Sequence, residues 1–404
     1  MAVLPRLDRG APARGRELVG LITFSHALQH LYAAVLPLAY PLAVAEFHAS
    51  YTALGVLLGA VGVVGGLLQG VAGVYQRITA RVVLTVQQLG LAITLATSGL
   101  APSFPIFGVG RFLGAIVSSP QHPVGNAVLS RHFPERRGTV LSWHTTGGNI
   151  GTLVVPLIAS VVIARFGWRA ALLVFTVPIA LGGLWIALRL REPALPEHSH
   201  HAHSGGAQLR QVILRRSTLA IMLAGTVAAG GRGLGVITAY VPAYLRSGLG
   251  LPQITVGLVF TVVMAGSIVG PVLTGHLADR VGRRRVVLTT YLLGALALLA
   301  FGAVGHFLPL LLVTGALVGV LAYAESPLLQ ALFSDAVQGA PQQAAFGIFF
   351  AVSYGAGSIW VTVLGIAIDH LGFTPTFALM AASFVAAAGM VVLAGREARL
   401  QPVH

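Results

Sequence analysis

Long apolar runs, separated by short polar breaks, dominate the pattern of this chain. Each run holds about 20 mostly apolar residues, the length that an α-helix needs to cross a bilayer. None of them alternates in polarity as a membrane β-strand does. The pattern therefore predicts an all-α membrane protein. We expect twelve membrane-spanning helices, over residues 18–43, 52–75, 82–100, 104–128, 139–164, 168–190, 217–245, 253–278, 286–304, 308–332, 344–368 and 373–394.

The composition indicates the same class of protein. Hydrophobic residues make up 56% of the chain and charged residues only 9%, whereas a soluble globular chain carries about 25% charged residues. Such a chain cannot cover a folded surface with polar groups. This excludes soluble enzymes, disordered proteins and nucleic-acid-binding proteins, despite the net charge of +14. Cysteine is absent, which also excludes disulfides and thiolate metal sites.

Arginine placement predicts the orientation of the spans, since the chain contains no lysine. In the twelve-span scheme, 20 of the 25 basic residues fall on one side of the membrane and three on the other. The remaining two, Arg111 and Arg232, lie inside spans. Cytoplasmic loops carry an excess of arginine and lysine, whose charges face anionic lipid headgroups. We therefore expect a bacterial inner (plasma) membrane protein with both termini in the cytoplasm.

The first half of the chain recurs in the second half at an offset of 204 residues. Pro123 aligns with Pro327, and the four residues from Arg81 match those from Arg285. A segment rich in histidine, proline and glycine separates the halves and is typical of a linker. Such a repeat predicts two homologous six-helix bundles with a substrate site at their interface. The predicted domains are an N-terminal bundle over 1–190, a cytoplasmic His-rich linker over 191–216 and a C-terminal bundle with a short tail over 217–404.

The loop between the second and third spans of the second half carries a family motif. Its sequence from Gly275 to Arg285, GHLADRVGRRR, resembles the signature loop of the major facilitator superfamily. In the first-half copy, at 72–81, Gln76 stands where the acid is expected. The resemblance covers nearly the whole chain and implies alternating access, with spans 1, 4, 7 and 10 lining a central cavity. It also implies a gating role for four residues of the loop, Asp279, Arg280, Gly282 and Arg283.

A finer resemblance points to one branch of this superfamily. The segments Gln-His-Pro at 121–123 and Gly-Gly-Asn at 147–149 are similar to segments of the fosmidomycin-resistance branch of drug efflux transporters. Arg232, followed by the Tyr-Val-Pro-Ala-Tyr segment at 240–244, is similar as well. The resemblance implies proton-coupled efflux, although no residue by itself sets the direction of transport.

Polar side chains inside the spans are the candidates for function, because a polar group in the bilayer core is costly. They concentrate on the four spans that the resemblance implies line the cavity. Helical spacing places His26 and His30 on one face of span 1. The same spacing places Arg111, Ser118 and His122 on one stripe of span 4. The predicted substrate-binding residues are His26, Gln29, His30, Arg111, Ser118, His122 and Arg232.

Glu325 is the only acidic residue well inside a span. A carboxyl can gain or lose a proton when its burial and its neighbours change, so we predict that Glu325 is the proton-coupling residue. Its counterpart in the first half is Gln121, which cannot titrate. His30 or His122 could carry the proton instead, and Glu325 would then be only the counter-ion of an arginine.

The other candidates also have structural interpretations. Arg111 could bind backbone carbonyls of neighbouring helices, and His26 could be an ordinary buried histidine. From the middle of its span, the long side chain of Arg232 could reach only partway toward the membrane surface. His122 and His144 could be neutral histidines bonded to each other. Each of these readings keeps the side chain inside the protein without giving it a part in transport.

Polar residues outside the spans have simpler interpretations. Glu46 and Asp369 lie at outer helix ends, and we expect them to be solvated. The histidines at 198–203 indicate a solvated linker, although their imidazoles could bind a transition metal. We assign no metal ligand and no cofactor. The sequence shows no nucleophile–base pair and no phosphate-binding loop, so we expect no enzymatic activity.

The predicted cavity holds two arginines and several histidines but a single carboxylate, which favours an anionic or polar organic substrate. We therefore predict a monomeric secondary transporter that couples efflux of such a compound to protons, in contact with lipids and without a nucleic-acid partner. Three alternatives stay open. They are uptake of an organic anion by proton symport, a non-transporting receptor or scaffold on the same fold, and transport of a metal ion.

Overall fold

The computed structural model describes residues 13–70, 78–191, 206–338 and 341–398. These residues form helices joined by short turns, which confirms the predicted all-α class. The first half contains α1 (Ala13–Glu46), α2 (Tyr51–Gly70), α3 (Ala80–Gly99), α4 (Phe104–Ser118), α5 (Gln121–His132) and α6 (Arg137–Arg189). The second half contains α7 (Gly206–Ile213), α8 (Arg216–Ala228), α9 (Thr238–Ala243), α10 (Gln253–Val281), α11 (Arg283–Ala303), α12 (Leu308–Ala336), α13 (Gln342–Phe350), α14 (Ile359–Leu371) and α15 (Phe373–Ala398).

The twelve predicted spans correspond to these helices, although spans 5 and 6 are fused in α6, and spans 4, 7 and 11 are each divided between two helices. Ten stretches of the described residues are long and apolar enough to cross a membrane. One stretch, Pro134–Arg189, contains both span 5 and span 6, which are separated at Gly167, where φ is 83° and ψ is 165°. Span 4 is divided into α4 and α5 by a break at Ser119 and Pro120. Separating the fused pair and adding span 4 gives twelve.

Each half of the chain packs into its own bundle. In the first half, α1 packs on α6, and α3 packs on α4 and α6; in the second half, α10 and α11 pack on α12, and α15 packs on α8 and α11. Gly266 of α10 lies so close to the backbone of Gly319 on α12 that a Cβ would not fit. Lipid is as apolar as leucine, so close packing between small residues drives such helix association. The segment 192–205 lies outside the described residues, and the limits of the linker stay a prediction.

The two halves touch along α2 and α14 and along α6 and α10. The contacts lie toward the end of the molecule where α1 ends and α2 begins, which we call the Glu46 end. A Cβ on Gly55 of α2 would lie 2.7 Å from the carbonyl oxygen of Val361 on α14. A Cβ on Gly257 of α10 would lie 2.9 Å from the carbonyl oxygen of Pro156 on α6. Glycine at these two positions therefore lets the backbones of the two halves meet at the Glu46 end.

Asp369 links the two halves at the same end. Its carboxylate accepts hydrogen bonds from the backbone N–H groups of Tyr51 and Thr52, at 3.0 and 2.7 Å, and from the Thr52 hydroxyl at 2.6 Å. These N–H groups begin α2 and have no acceptor within their own helix. The positive end of the helix dipole also favours a carboxylate at this position. Asp369 is exposed, as expected, and its oxygens also bind the other half.

Glu46 is likewise exposed, as expected, and is also bound. Its carboxylate accepts hydrogen bonds from the indole of Trp168 at 2.6 Å and from Nε of Arg169 at 2.9 Å. Arg169 also donates to the carbonyl oxygens of Gly99 and Ala101. All of these partners belong to the first half. Glu46 therefore joins the ends of α1, α3 and α6 within one bundle.

Replacing Asp369 by alanine should loosen the contact between the halves. Loss of a helix-capping acceptor costs about 1 kcal/mol, which is roughly a fivefold change in an equilibrium. Thr362→Cys places a single thiol at the contact, because Thr362 of α14 donates to the carbonyl of Gly55 on α2. We expect a water-soluble maleimide to label this thiol roughly fivefold faster in the Asp369→Ala background, with the protein in detergent.

The matched control is Glu46→Ala, which removes a carboxylate from the same end of the molecule. Its partners Trp168 and Arg169 lie within the first half, so labelling at residue 362 should keep its original rate. Equal labelling rates in the Asp369→Ala and parent proteins would show that Asp369 does not hold the halves together.

Candidate functional site

The seventh span is interrupted at Arg232. Helix α8 ends at Ala228, and the chain continues through a π-helical turn, Gly233–Ile237, before α9 begins. The backbone at Arg232 is extended, with φ of −65° and ψ of 141°. Gly235 within the turn has a φ of 100°, a conformation that favours glycine. The interruption directs the Arg232 side chain into the interior of the C-terminal bundle.

Arg232 forms a buried, two-point ion pair with Glu325 of α12. Nε and Nη2 of Arg232 lie 2.9 and 3.2 Å from the two carboxylate oxygens. The side chains are 4% and 0% exposed, respectively. Nη1 also donates to the carbonyl of Ser353, and Nη2 to the carbonyl of Gly225. The hydroxyl of Tyr291 donates to Glu325 at 3.2 Å, so the pair is held by neutral groups on all sides.

This geometry matches the interpretation in which Glu325 is the counter-ion of Arg232. Removing a charge from water is expensive, and the pair repays that cost only when its geometry is good and its remaining polar atoms are bonded. Both conditions are met here. The ring of Tyr354 adds a further contact, with the Arg232 guanidinium carbon 4.4 Å from its centroid. Proton coupling by Glu325 stays a prediction.

The N-terminal bundle holds four histidines together. The ring centroid of His26 lies 4.1 Å from that of His144, 4.5 Å from that of His30 and 4.8 Å from that of His122. His26 and His144 are buried, whereas His122 is exposed. Neither ring nitrogen of His144 has a hydrogen-bond partner. The interpretation that His122 and His144 are bonded to each other is therefore wrong.

Two glycines make room for these rings. A Cβ on Gly148 would lie 2.7 Å from Cε1 of His26 and 2.9 Å from Nε2 of His30. A Cβ on Gly125 would lie 2.9 Å from Cε1 of His144. The Gly-Gly-Asn segment, which the sequence analysis used only as a family signal, thus has a direct packing role beside the histidines.

A buried amide network lies next to the histidine cluster. Oε1 of Gln121 accepts hydrogen bonds from the Ser25 hydroxyl at 2.8 Å and from Gln87 Nε2 at 2.9 Å. Gln88 donates to both the carbonyl and the hydroxyl of Ser25. Sequence reasoning missed Ser25, Gln87 and Gln88. The pair of adjacent glutamines inside span 3 could have indicated this network. Span 3 is not one of the spans expected to line the cavity, so the pair was not selected.

The break in span 4 explains the position of Gln29. Helix α4 ends at Ser118, so its last carbonyls lack N–H donors within the helix, and Pro120 cannot donate a hydrogen bond. Gln29 of α1 donates to the carbonyl of Ser118 at 3.1 Å. The Ser118 hydroxyl bonds to its own helix, at the carbonyl of Ala115. Gln29 therefore stabilises the break that presents His122 beside α1.

Arg111 lies apart from the histidines, between α4 and α1. Its Nε donates to the hydroxyl of Tyr40 at 2.8 Å, and its guanidinium carbon is 5.9 Å from the centroid of the Tyr32 ring. Within the part of the chain that the structure describes, Arg111 forms no salt bridge with a carboxylate. Its partners are neutral, so its positive charge is uncompensated.

The predicted gating loop lies at the end of the molecule opposite Glu46. Asp279 and Arg280 are exposed at the end of α10, and Arg283 pairs with Asp335 of the same bundle. Gly282 turns the chain between α10 and α11 with a φ of 95°. Among the described residues Asp279 has no ion-pair partner. Of the first-half counterpart at 72–81, residues 72–77 lie outside them.

The structure thus groups the predicted residues into separate places. His26, Gln29, His30 and His122 come together in the N-terminal bundle, and Arg232 joins Glu325 in the C-terminal bundle. Arg111 stands alone between α1 and α4. Tyr291 was missed, because a tyrosine in an apolar span gives no signal until the structure brings it to Glu325.

The fold defines the class of protein: a membrane transporter built from two six-helix bundles, with ionisable groups inside each. The sequence model of one protein family, the Major Facilitator Superfamily, matches this chain twice, over residues 22–255 and 221–403. The two matches begin one in each half, in agreement with the internal repeat. The chain belongs to the Major Facilitator Superfamily. It is therefore an integral membrane transporter and not an enzyme.

Two relatives are named for transport or for resistance to fosmidomycin. The fosmidomycin resistance protein of Escherichia coli is 25% identical over 394 residues, covering 93% of this chain and 92% of that protein. This similarity confirms the resemblance to the fosmidomycin-resistance branch. The cis,cis-muconate transport protein of Acinetobacter baylyi is 28% identical over 282 residues, covering 66% of this chain and 64% of that protein.

Solved structures share the fold at low sequence identity. The nucleoside transporter NupG superimposes with a TM-score of 0.77 at 13% identity, over 95% of this chain and 100% of the NupG chain. A bacterial homologue of the human lysosomal transporter Spinster, in an inward-facing conformation, superimposes with a TM-score of 0.69 at 16% identity. That match covers 95% of this chain and 96% of the other.

Removing one member of the Arg232–Glu325 pair should destabilise the protein strongly. Arg232→Met or Glu325→Gln alone leaves an uncompensated buried charge, at a cost of about 3–5 kcal/mol. The double variant removes both charges, so we expect it to recover most of the lost stability. Thermal unfolding of the purified protein in detergent, followed by tryptophan fluorescence, measures the four variants of this cycle.

The exposed Arg283–Asp335 pair is the control, with side chains 40% and 43% exposed. Arg283→Met and Asp335→Asn should each change the stability by less than about 1 kcal/mol. If the losses from Arg232→Met and Glu325→Gln simply add in the double variant, the two side chains are not coupled and this interpretation fails.

Proposed function

We propose that this protein is a secondary active transporter that moves a small organic anion across the bacterial inner membrane by alternating access, with efflux coupled to protons. The observation that carries the proposal is the uncompensated charge of Arg111. Its side chain is partly buried and is held by the neutral hydroxyl of Tyr40. A guanidinium held in this way can bind an anion through paired, charge-assisted hydrogen bonds.

The distribution of acids in the N-terminal bundle supports an anionic substrate. In the part of the first half that the structure describes, the carboxylates are Glu17, Glu46 and Glu135, all at helix ends. Glu17 and Glu46 already pair with Arg189 and Arg169. The interior instead offers amides and imidazoles, which can donate hydrogen bonds to an anion. One relative is a cis,cis-muconate transport protein, and muconate is the anion of a carboxylic acid.

Coupling to protons rests on the Arg232–Glu325 pair. A substrate anion that reaches Arg232 competes with Glu325 for the same guanidinium. Once displaced, the buried carboxylate has no counter-charge, and a carboxyl in that position favours its protonated form. Protonation of Glu325 and binding of the anion are then linked, and each favours the other. This exchange of partners loads the anion and the proton together, as the symport alternative requires, so the proposed direction of efflux does not rest on it. The broken helix at Arg232 supplies the backbone freedom that the exchange of partners requires.

The two ends of the molecule support alternating access. The Glu46 end is closed by Asp369 and by the α2–α14 contact, whereas Asp279 at the opposite end has no ion pair among the described residues. We propose that Asp279, Arg280, Gly282 and Arg283 form a latch that engages when that end closes. In this scheme the latch end and both termini face the cytoplasm, and a single chain, divided at 191–216, is the functional unit.

The direction of transport is proposed from the relative that confers fosmidomycin resistance, which favours efflux. Uptake of the same anion by proton symport uses the same groups and remains the alternative. Protein reconstituted in sealed vesicles separates the two, because substrate and protons move in opposite directions in antiport and in the same direction in symport.

Arg111→Ala should strongly weaken binding of the anionic substrate. Charge-assisted hydrogen bonds contribute about 1.5–3 kcal/mol, so we expect affinity to fall roughly 10- to 100-fold. Arg111→Lys should rescue poorly, because an ammonium cannot form the same two parallel bonds. A thermal-shift screen of organic acids, including cis,cis-muconate and fosmidomycin, identifies the ligand, and isothermal calorimetry measures the variants. Arg189→Ala, which removes a cation paired with Glu17 at the surface, is the control. Unchanged affinity in Arg111→Ala would contradict the assignment.

Glu325→Gln should uncouple transport from the proton gradient. A glutamine keeps the size of the side chain but cannot take up a proton. We therefore expect exchange of labelled for unlabelled substrate to continue in vesicles, while accumulation driven by a pH gradient disappears. Glu17→Gln, the same change at an exposed carboxylate that pairs with Arg189, should leave both activities intact. If Glu325→Gln still accumulates substrate in response to pH, the coupling group lies elsewhere, and His30 and His122 become the candidates.

A further inference from the structure

Three histidines of the N-terminal bundle bring ring nitrogens close together. His26, His122 and His144 each offer one ring nitrogen, and the three atoms lie within 4.8 Å of one another. Nε2 of His26 and both ring nitrogens of His144 have no hydrogen-bond partner. These two side chains are 3% and 1% exposed. A buried polar atom without a partner costs about 1–3 kcal/mol of stability. A ligand bound to these nitrogens would remove that cost.

The hydrogen bond of His26 fixes which of its nitrogens carries the proton. Nδ1 of His26 lies 2.7 Å from the backbone carbonyl oxygen of His144, and this oxygen can only accept. We therefore assign the proton to Nδ1, which leaves a lone pair on the free Nε2. A histidine that binds a metal commonly donates its other ring N–H to a backbone carbonyl in this way.

His30 repeats this arrangement at the edge of the cluster. Its Nδ1 lies 2.7 Å from the hydroxyl oxygen of Thr152, which donates its own hydrogen to the carbonyl of Gly148. His30 is therefore the donor, and its proton is on Nδ1 as well. The rings of His30 and His26 meet edge to face, at 4.5 Å between centroids. His30 thus packs against the ring that holds the free nitrogen.

The donor set and its exposure suit one class of ligand. Neutral imidazole nitrogens are the donors that zinc, nickel, cobalt and copper prefer, whereas magnesium and calcium prefer oxygen. Zn–N bonds of about 2.0–2.1 Å place the ligand nitrogens of a tetrahedral site roughly 3.4 Å apart. The present spacing of up to 4.8 Å is wider than this, and the rings of His26 and His144 are stacked, so metal binding requires these rings to turn and to move closer together. His122 lies at the exposed side of the cluster.

We propose that His26, His122 and His144 form a binding site for a divalent transition-metal ion. Two buried imidazoles hold the ion from within the bundle, and His122 closes the site from its exposed side. The fourth coordination position opens beside His122, where water or an anionic group of a transported compound can bind. The site shares His26 and His122 with the proposed substrate-binding residues, but it does not depend on Arg111 or on proton coupling.

The test uses the full chain, purified in detergent without a polyhistidine tag. Because His198, His200, His201 and His203 of the linker could bind metal themselves, they are replaced by serine in every sample. We expect calorimetry to show one Zn²⁺ bound per chain. Co²⁺ should produce the visible d–d absorption of a four-coordinate site, and added Zn²⁺ should remove it.

The histidine variants identify the ligands. His122→Ala, at the exposed position, should weaken Zn²⁺ binding by more than the roughly 10- to 100-fold that loss of an outer-shell partner causes, and should abolish the Co²⁺ spectrum. His144→Ala should do the same if it folds; if it does not, His122→Ala decides. His306→Ala is the control, because that exposed histidine bonds to the carbonyl of Leu249 far from the cluster.

Two results would overturn the proposal: no Zn²⁺ or Co²⁺ binding by the linker-substituted chain, or unchanged binding after His122→Ala. Either result leaves the transport proposal standing, since that proposal is tested through Arg111 and Glu325. Conversely, loss of anion binding in Arg111→Ala would leave the metal site untouched. Measuring anion binding with and without a metal chelator shows whether the bound ion contributes to substrate affinity.

Discussion

The bilayer core offers no water to a polar group, and this constraint governs every functional feature of the structure. A charge placed there needs a partner, and an unbonded backbone group needs a donor or an acceptor. Arg232 and Glu325 meet the first requirement by forming an ion pair with each other. Gln29 meets the second by donating a hydrogen bond to the carbonyl of Ser118, where α4 ends. The positions of the candidate residues follow from these pairings more than from their order along the chain.

The two halves meet this constraint in different chemical ways, although they repeat the same fold. The C-terminal bundle contains a complete ion pair in which the acid is Glu325. At the equivalent position the N-terminal bundle has Gln121, which belongs to a network of neutral amides. Its charge is carried instead by Arg111, which lacks an acid among the described residues. The N-terminal bundle thus holds the candidate anion-binding residue, Arg111, and the C-terminal bundle holds the candidate proton-binding residue, Glu325.

Small residues and the carboxylate of Asp369 form contacts between the two halves at the Glu46 end. Gly55 and Gly257 let the backbones approach at the Glu46 end, and Asp369 caps α2 from the other bundle. The repeat places Arg165 where the second half has Asp369. Aligning the two halves shows this difference but does not show which residues Asp369 binds. A charge that ends one helix and caps another helix of the opposite bundle can be recognised only when both helices are in place.

The sequence by itself determined the class, the twelve spans, the repeat and the superfamily, because the length and apolarity of each run are set by the bilayer. It also identified Arg232, Glu325 and the histidines, because polar residues are rare in such runs. Only the tertiary structure decided which of them meet. Helical spacing relates residues of one helix, whereas His26 and His144 belong to different helices whose packing depends on the close approach at Gly148. Partners on separate helices are chosen by packing and by the need of each buried polar group for a bond, and neither is local in sequence.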